Sequence, residues 1–200
     1  SDEKWLKRAA SRMDAKECSD DPLFVELVEA LHSLSPSADS AYYLGILKDK
    51  AGNTTEAISF YEESLKLETD TYRKAEIMYK IASKLKERGL KSQARKYANQ
   101  ALSNKPSMGK AYILIAGLYA DSANDCGNNQ FEKQSVYWLA AQTARRAASV
   151  DPSLKKTSQK LEASYSGRAP SKTDIFTQGK AGEVITFDCW IRSSVTVPNL

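Results

Sequence analysis

The feature that most constrains this chain is a set of small residues recurring at fixed offsets around a glycine. In "LGILKDKAGNTTEAISFYEESLKL", Leu44-Gly45 precede Gly52, and Ala57, Tyr61 and Ser64 follow it. Around Gly89, 37 residues on, the matching positions hold Ile81-Ala82, then Ala94, Ala98 and Ala101. A third set runs Ile115-Ala116 and Tyr119, then Ala140, Ala144 and Ala147. Pro36-Ser37, Pro106-Ser107 and Pro152-Ser153 punctuate the sets, each closing one amphipathic run and opening another. Proline cannot continue a helix, and a serine after it can cap the next one. The first two pairs lie 70 residues apart, about two periods of a roughly 34-residue helix–turn–helix repeat. Two antiparallel helices joined by a short turn approach closely only where small residues meet. Gly45, Ala82 and Ala116 supply one side of that contact, and Ala57, Ala94 and Ala140 the other. Leu44, Tyr61, Ile81, Leu85, Ile115 and Tyr119 then fill the layers between hairpins. A large side chain forced onto a small contact costs roughly 1–3 kcal/mol by overpacking.

Composition agrees with long helices. Hydrophobic residues are 42% of the chain and charged ones 27%, enough apolar material for a continuous core, while Pro and Gly number only 6 and 9. No run approaches the roughly 20 apolar residues of a membrane span. The chain opens at Ser1 without a methionine, so the lack of a signal peptide says nothing about compartment. Net charge is +4, from 29 basic and 25 acidic residues. The densest basic stretch, Lys84, Lys86, Arg88, Lys91, Arg95 and Lys96, reads as the solvated faces of two consecutive helices. Acidic residues are interleaved nearly everywhere, whereas a nucleic-acid surface needs a one-sided patch with aromatics to stack bases.

The repeated pattern resembles the tetratricopeptide repeat (TPR) family over roughly residues 3–166. The resemblance implies an all-α, α-α superhelical solenoid of about nine helices with a short C-terminal β-hairpin tail. Units fall at about 3–36, 37–70, 71–106 and 107–152, followed by a polar capping helix at 153–166. Together they make a repeat domain over 1–168, with a β-rich tail over 169–200 packed on the last helices. The first unit is degraded: Phe24, Val28 and Leu31 precede Pro36, and Trp5, Ala9 and Met13 mark an earlier helix. The last carries about 12 extra residues, the polar "SANDCGNNQFEK". Lys48 stands where a large apolar residue is expected, and Ala98 where the second unit has Tyr61. In such stacks the first helix of each pair lines a concave groove. The residues placed there are Asp39, Tyr42, Ile46 and Asp49, then Glu76, Tyr79, Ser83 and Lys86, then Lys110 and Ile113. Tyr42 and Tyr79 occupy equivalent positions, as peptide anchors or as packing between helices. The family's carboxylate clamp needs Lys and Asn where this chain has Tyr42 and Ile46, which argues against a chaperone-tail receptor.

After Gly167 the texture changes. "RAPSKTD" is a turn-rich linker, and the β-branched and aromatic run that follows predicts short strands around 175–178 and 183–192. A lone hairpin is marginal in water, so Ile175, Phe176, Ile185, Phe187, Trp190 and Ile191 are expected to pack on the last helices. The stretch 126–197 is similar to the C-terminal region of TPR proteins from Bacteroidetes-type bacteria, many of them exported. That implies an exported or periplasmic location, with the cytoplasm as the alternative. Cys126 in the insert and Cys189 in the folded-back tail form the expected disulfide, with Cys18 a free thiol; three reduced cysteines are the competing arrangement.

Catalytic constellations are missing. His32 stands alone, Cys18, Cys126 and Cys189 lack zinc-site spacing, and no glycine-rich phosphate loop appears. "DSAND" and "CGNNQFE" lack the alternating oxygen ligands and terminal glutamate of a calcium loop. The expectation is a non-enzymatic protein-interaction scaffold without cofactor or metal. Its partner would be a peptide, a folded protein or another copy of the chain, making a homo-oligomer. The alternatives are a glycan- or nucleic-acid-binding module, nucleic acid being disfavoured, or a structural subunit of a cell-envelope assembly.

Overall fold

A computed structural model describes residues 2–16, 18 and 21–200. They divide into two compact units, Ser1–Gly89 and Leu90–Leu200.

The first unit holds α1 (Glu3–Ala15), α2 (Pro22–Leu34), α3 (Ala38–Lys50), α4 (Thr54–Leu67) and α5 (Thr71–Glu87). Side-chain caps open most of them. The carboxylates of Asp2, Asp21 and Asp70 accept from the backbone amides of Lys4, Leu23 and Arg73, and Ser37 and Ser40 cap α3 reciprocally. Gly52 turns α3 into α4 with φ +78°, a conformation that disfavours a side chain. At the α3–α4 crossing Gly45 lies against the ring of Tyr61, and Ala57 and Tyr61 are fully buried. Lys48, the polar departure from the pattern, reaches Glu56 of α4 at 3.0 Å. Towards the amino terminus, Leu6 and Ala10 of α1 pack with Phe24, Leu27, Val28 and Leu31 of α2 and with Tyr43 and Leu44 of α3. The buried stripe of α1 is thus shifted by one residue from the one expected: Trp5 is 57% exposed and Leu6 is buried instead.

The second unit holds α6 (Lys91–Asn104), α7 (Gly109–Ala120), α8 (Gln130–Val150), a 3₁₀ turn (Pro152–Leu154), α9 (Lys155–Ser166), α10 (Lys172–Gln178), β1 (Val184–Phe187) and β2 (Ser193–Thr196). Helices α7, α8 and α9 pack in succession, with Ala116, Ala140 and Ala144 at the close contacts and Tyr165 closing the layer. Only Ser37 of the three Pro-Ser serines caps a helix by its hydroxyl; α7 starts without a side-chain cap, and Asp151 caps the turn at Pro152.

The tail departs from its expected form at both strands, the one expected over 183–192 ending at Phe187 in a turn over 188–191. Residues 172–178 are helical, not extended: Ser171 and Asp174 build a capping box, and Gly179 ends the helix in the left-handed region. Local capping outweighs the β preference of Ile175 and Phe176. The described residues therefore carry ten α-helices. The hairpin forms further on, with β1 antiparallel to β2 and Ile185 opposite Val195. Ile175, Ile185, Phe187, Ile191, Val195 and Val197 are buried in the same core as α7–α9. Phe176, expected in that core, is 73% exposed, because the short helix turns Ile175 inward in its place. Arg95 of α6 holds the tail from outside, donating to the carbonyls of Trp190 (3.1 Å) and Ile191, with its guanidinium 5.0 Å from the Trp190 ring. Trp190 in turn donates from its indole nitrogen to Ser122 at 3.1 Å.

Candidate functional site

The first helices of successive hairpins in the first unit are α1, α3 and α5. Between them lies an open cleft of about 630 Å³. Helix α1 contributes Lys4, Lys7, Arg8, Ser11 and Arg12, α3 contributes Asp39 and Tyr43, and α5 contributes Arg73. Amphipathicity puts them there. With Leu6 and Ala10 turned into the core, Lys7 and Ser11 one residue on, and Lys4, Arg8 and Arg12 two residues away, carry the polar stripe.

Asp39 organises the cleft. Its carboxylate accepts from Lys7 Nζ at 2.9 Å and from Arg73, whose Nε also reaches Glu68 at 3.1 Å. Burial alone would raise the Asp39 pKa, but the hydrogen bonds and charges of Lys7 and Arg73 outweigh it and hold the carboxyl below its ordinary range. Lys7 moves the opposite way, its ammonium favoured first by the hydrogen bond to Asp39. The two cations bound to Asp39 are each more than half exposed, so the clasp orients side chains more than it stabilises the fold.

The residues placed in the groove from sequence occupy the expected helices. Asp39, Tyr42, Ile46 and Asp49 lie on α3, and Glu76, Tyr79, Ser83 and Lys86 on α5, all partly exposed. Lys110 and Ile113 lie on α7 of the second unit and are partly exposed there. Of the first eight, only Asp39 lines the cleft. Asp49 is engaged by Lys84 of α5 at 2.6 Å. Tyr42 is largely committed to packing: its ring lies 5.6 Å from that of Tyr61, and burial pushes its phenol up to about 12. Burial also raises the pKa of Tyr79. Five cleft residues on α1, Tyr43 of α3 and Arg73 of α5 were missed. The signal was legible in the spacing of Lys4, Lys7, Arg8 and Arg12, which share one side of a helix, but that helix belongs to the most degraded repeat.

His32 is a packing residue. Its Nδ1 lies 3.0 Å from Ser40 Oγ, its Nε2 is 3.6 Å from Glu63, and its ring meets Phe60 edge-on. Cys126 and Cys189 form a disulfide with Cα atoms 5.5 Å apart, joining the α7–α8 insert to the tail, while Cys18 is an exposed free thiol. Among the described residues no cluster of three or more His, Cys, Asp or Glu side chains could hold a metal ion. No helix among them is long and apolar enough to cross a membrane.

No family model matches the chain. Over 110 residues it is 32% identical to the photosystem I assembly protein Ycf3 of Cyanophora paradoxa, an alignment covering 50% of this chain and 64% of that protein. The chain thus spans less than two thirds of that relative's length. Among solved structures, MamA (41-end) from Desulfovibrio magneticus RS-1 matches with a TM-score of 0.56 at 13% identity, over 83% of this chain and 92% of MamA. YrrB, described as a TPR protein with an unusual peptide-binding site, matches with a TM-score of 0.53 at 12% identity, over 88% and 90% of the two chains. At these identities the structural likeness speaks to fold. The helix hairpins with their small-residue crossings, and these neighbours, make the chain all-α with a TPR-like repeat fold and a C-terminal hairpin.

Proposed function

We propose that the chain is a non-enzymatic protein-interaction scaffold that binds a peptide or protein segment on the α1–α3–α5 face of its first unit. The observation that carries the reading is the open cleft between those helices, whose charged walls are partly exposed while the hydrophobic contacts lie beneath them. Such a cleft offers hydrogen bonds and charge to an extended segment without dismantling the core. The peptide-binding site named for YrrB and the assembly role named for Ycf3 support this class of function. The disulfide between Cys126 and Cys189 favours an oxidising compartment, so the proposed location is exported or periplasmic.

A random peptide library displayed on phage and panned against the whole chain tests the binding reading. Enriched peptides, resynthesised with a photo-crosslinker, are expected to label Glu3–Ala15, Ala38–Lys50 or Thr71–Glu87. Failure to enrich any peptide, or labelling confined to other helices, would refute it.

A further inference from the structure

We propose that the cleft selects an acidic partner: an extended segment with carboxylates at alternate positions, laid along α1. This rests on the peptide-binding reading above and adds the ligand's chemistry. Five cations, Lys4, Lys7, Arg8, Arg12 and Arg73, line the cleft against one carboxylate, Asp39. The concentration runs against the unit that contains it. Residues 1–89 hold 14 Lys and Arg against 17 Asp and Glu, a net charge of −3, so more than a third of the unit's cations converge where only one of its acids does.

Asp39 and Glu68 already satisfy two of the five, Lys7 and Arg73. Lys4, Arg8 and Arg12 are exposed, and among the described residues no carboxylate pairs with them. They stand four residues apart on α1, so successive charges are separated by about 6 Å along the helix axis. Alternate residues of an extended chain are about 6.6 Å apart on one side. A segment with Asp or Glu at every second position therefore meets the stripe nearly in register, and arginine adds forked hydrogen bonding to the charge match. The floor of the cleft favours a peptide over nucleic acid. Tyr43 is only 7% exposed and has no free face on which a base could stack.

The test uses the whole chain and fluorescein-labelled 12-residue probes, read by anisotropy over a series of salt concentrations. The probes are an alternating Glu-Ser peptide, its Gln-Ser counterpart, and a single-stranded oligonucleotide of matched charge. The expected result is saturable binding of the Glu-Ser probe, at least tenfold tighter than Gln-Ser and weakened by salt. The double variant Arg8→Glu with Arg12→Glu should lose at least tenfold in affinity. The equal charge change Lys155→Glu with Lys160→Glu, on exposed positions of α9, should lose less than twofold. Far-UV ellipticity establishes that both variants remain folded. Equal binding of both peptides, no binding of Glu-Ser, equal losses in the two double variants, or tighter binding of the oligonucleotide would each overturn the acidic-partner proposal. Crosslinked peptides from the phage panning would leave the peptide-binding reading standing in all of those cases, so the two failures are separable.

Discussion

The crossing of Gly45 and Tyr61 makes a quantitative prediction about what holds α3 to α4. A β-carbon added at Gly45 would lie 2.5 and 2.6 Å from Cε1 and Cδ1 of Tyr61. Carbon atoms in good contact sit about 3.5–4.0 Å apart, so the ring must retreat by about 1 Å. It has little room, being fully buried and backed by Tyr42. Overpacking of this kind costs about 1–3 kcal/mol. Alanine recovers about 0.5–1 kcal/mol over glycine as a helix former. Gly45→Ala should therefore destabilise the first unit by about 1–2 kcal/mol, a few degrees in melting temperature for a chain of this size. Tyr61→Leu removes the ring carbons that clash and leaves a side chain free to rotate away. In that background Gly45→Ala should be neutral or stabilising, so the cycle should show a coupling of about 1–3 kcal/mol. Urea unfolding followed by far-UV ellipticity, fitted with separate transitions for the two units, measures each corner. An equal cost of Gly45→Ala in both backgrounds would refute the contact as the reason for the glycine.

The same ring carries a second prediction: Tyr61 Oη is buried without a hydrogen-bond partner among the described residues, so Tyr61→Phe should be neutral or stabilising by up to about 1 kcal/mol, and a loss of more than that in urea unfolding would show a missing partner. The Cys126–Cys189 bridge spans 63 residues and should contribute up to about 4 kcal/mol through the unfolded chain. Thiol counting under denaturing, non-reducing conditions should find one thiol per chain, and three would refute the bridge. Deleting residues 169–200 should lower the melting temperature of the second unit, since each of Ile175, Ile185, Phe187 and Ile191 contributes about 1.5–3 kcal/mol by burial before entropy; an unchanged melting temperature would show that the tail does not hold that core. Asp39 has its pKa lowered in the folded state, so its clasp contributes above the unfolded value near 4 and is lost as pH falls through the lower folded value. Asp39→Asn should lower stability by less than about 1 kcal/mol at pH 7, the difference from wild type vanishing in acid; a difference that persists below the folded pKa would place the effect in packing.

Much of the fold was legible because it is enforced by size. Gly45 facing Tyr61, and Ala116 sharing a core with Ala140, are steric facts written as residue volumes at fixed offsets. Volume survives in a sequence even where hydrophobicity is diluted, as Lys48 shows by replacing an apolar residue and finding Glu56. The strand expected over 175–178 is instead part of a helix for the opposite reason. Ile175 and Phe176 carry strand preference, while the decision lay in Ser171, Asp174 and Gly179, polar residues whose caps act only once the helix exists. Propensity is a weak prior against a capping box followed by a left-handed glycine.

The cleft was harder to read, because a groove is defined by what the helices leave uncovered. Periodicity places Tyr42 and Asp39 on the same helix, three residues apart, yet Tyr42 spends its ring on Tyr61 while Asp39 faces Lys7 and Arg73. Repeat position alone does not separate those outcomes; they depend on the small shift that buries Leu6 of α1 in place of Trp5. That shift turns the Lys4–Arg8–Arg12 stripe toward α3 and α5, and places Lys7 within reach of Asp39. The degraded first repeat is therefore the one that gives the cleft its charge. Lys4, Arg8 and Arg12 are exposed and lie outside the core that Leu6 and Ala10 join, so packing does not require cations at those positions.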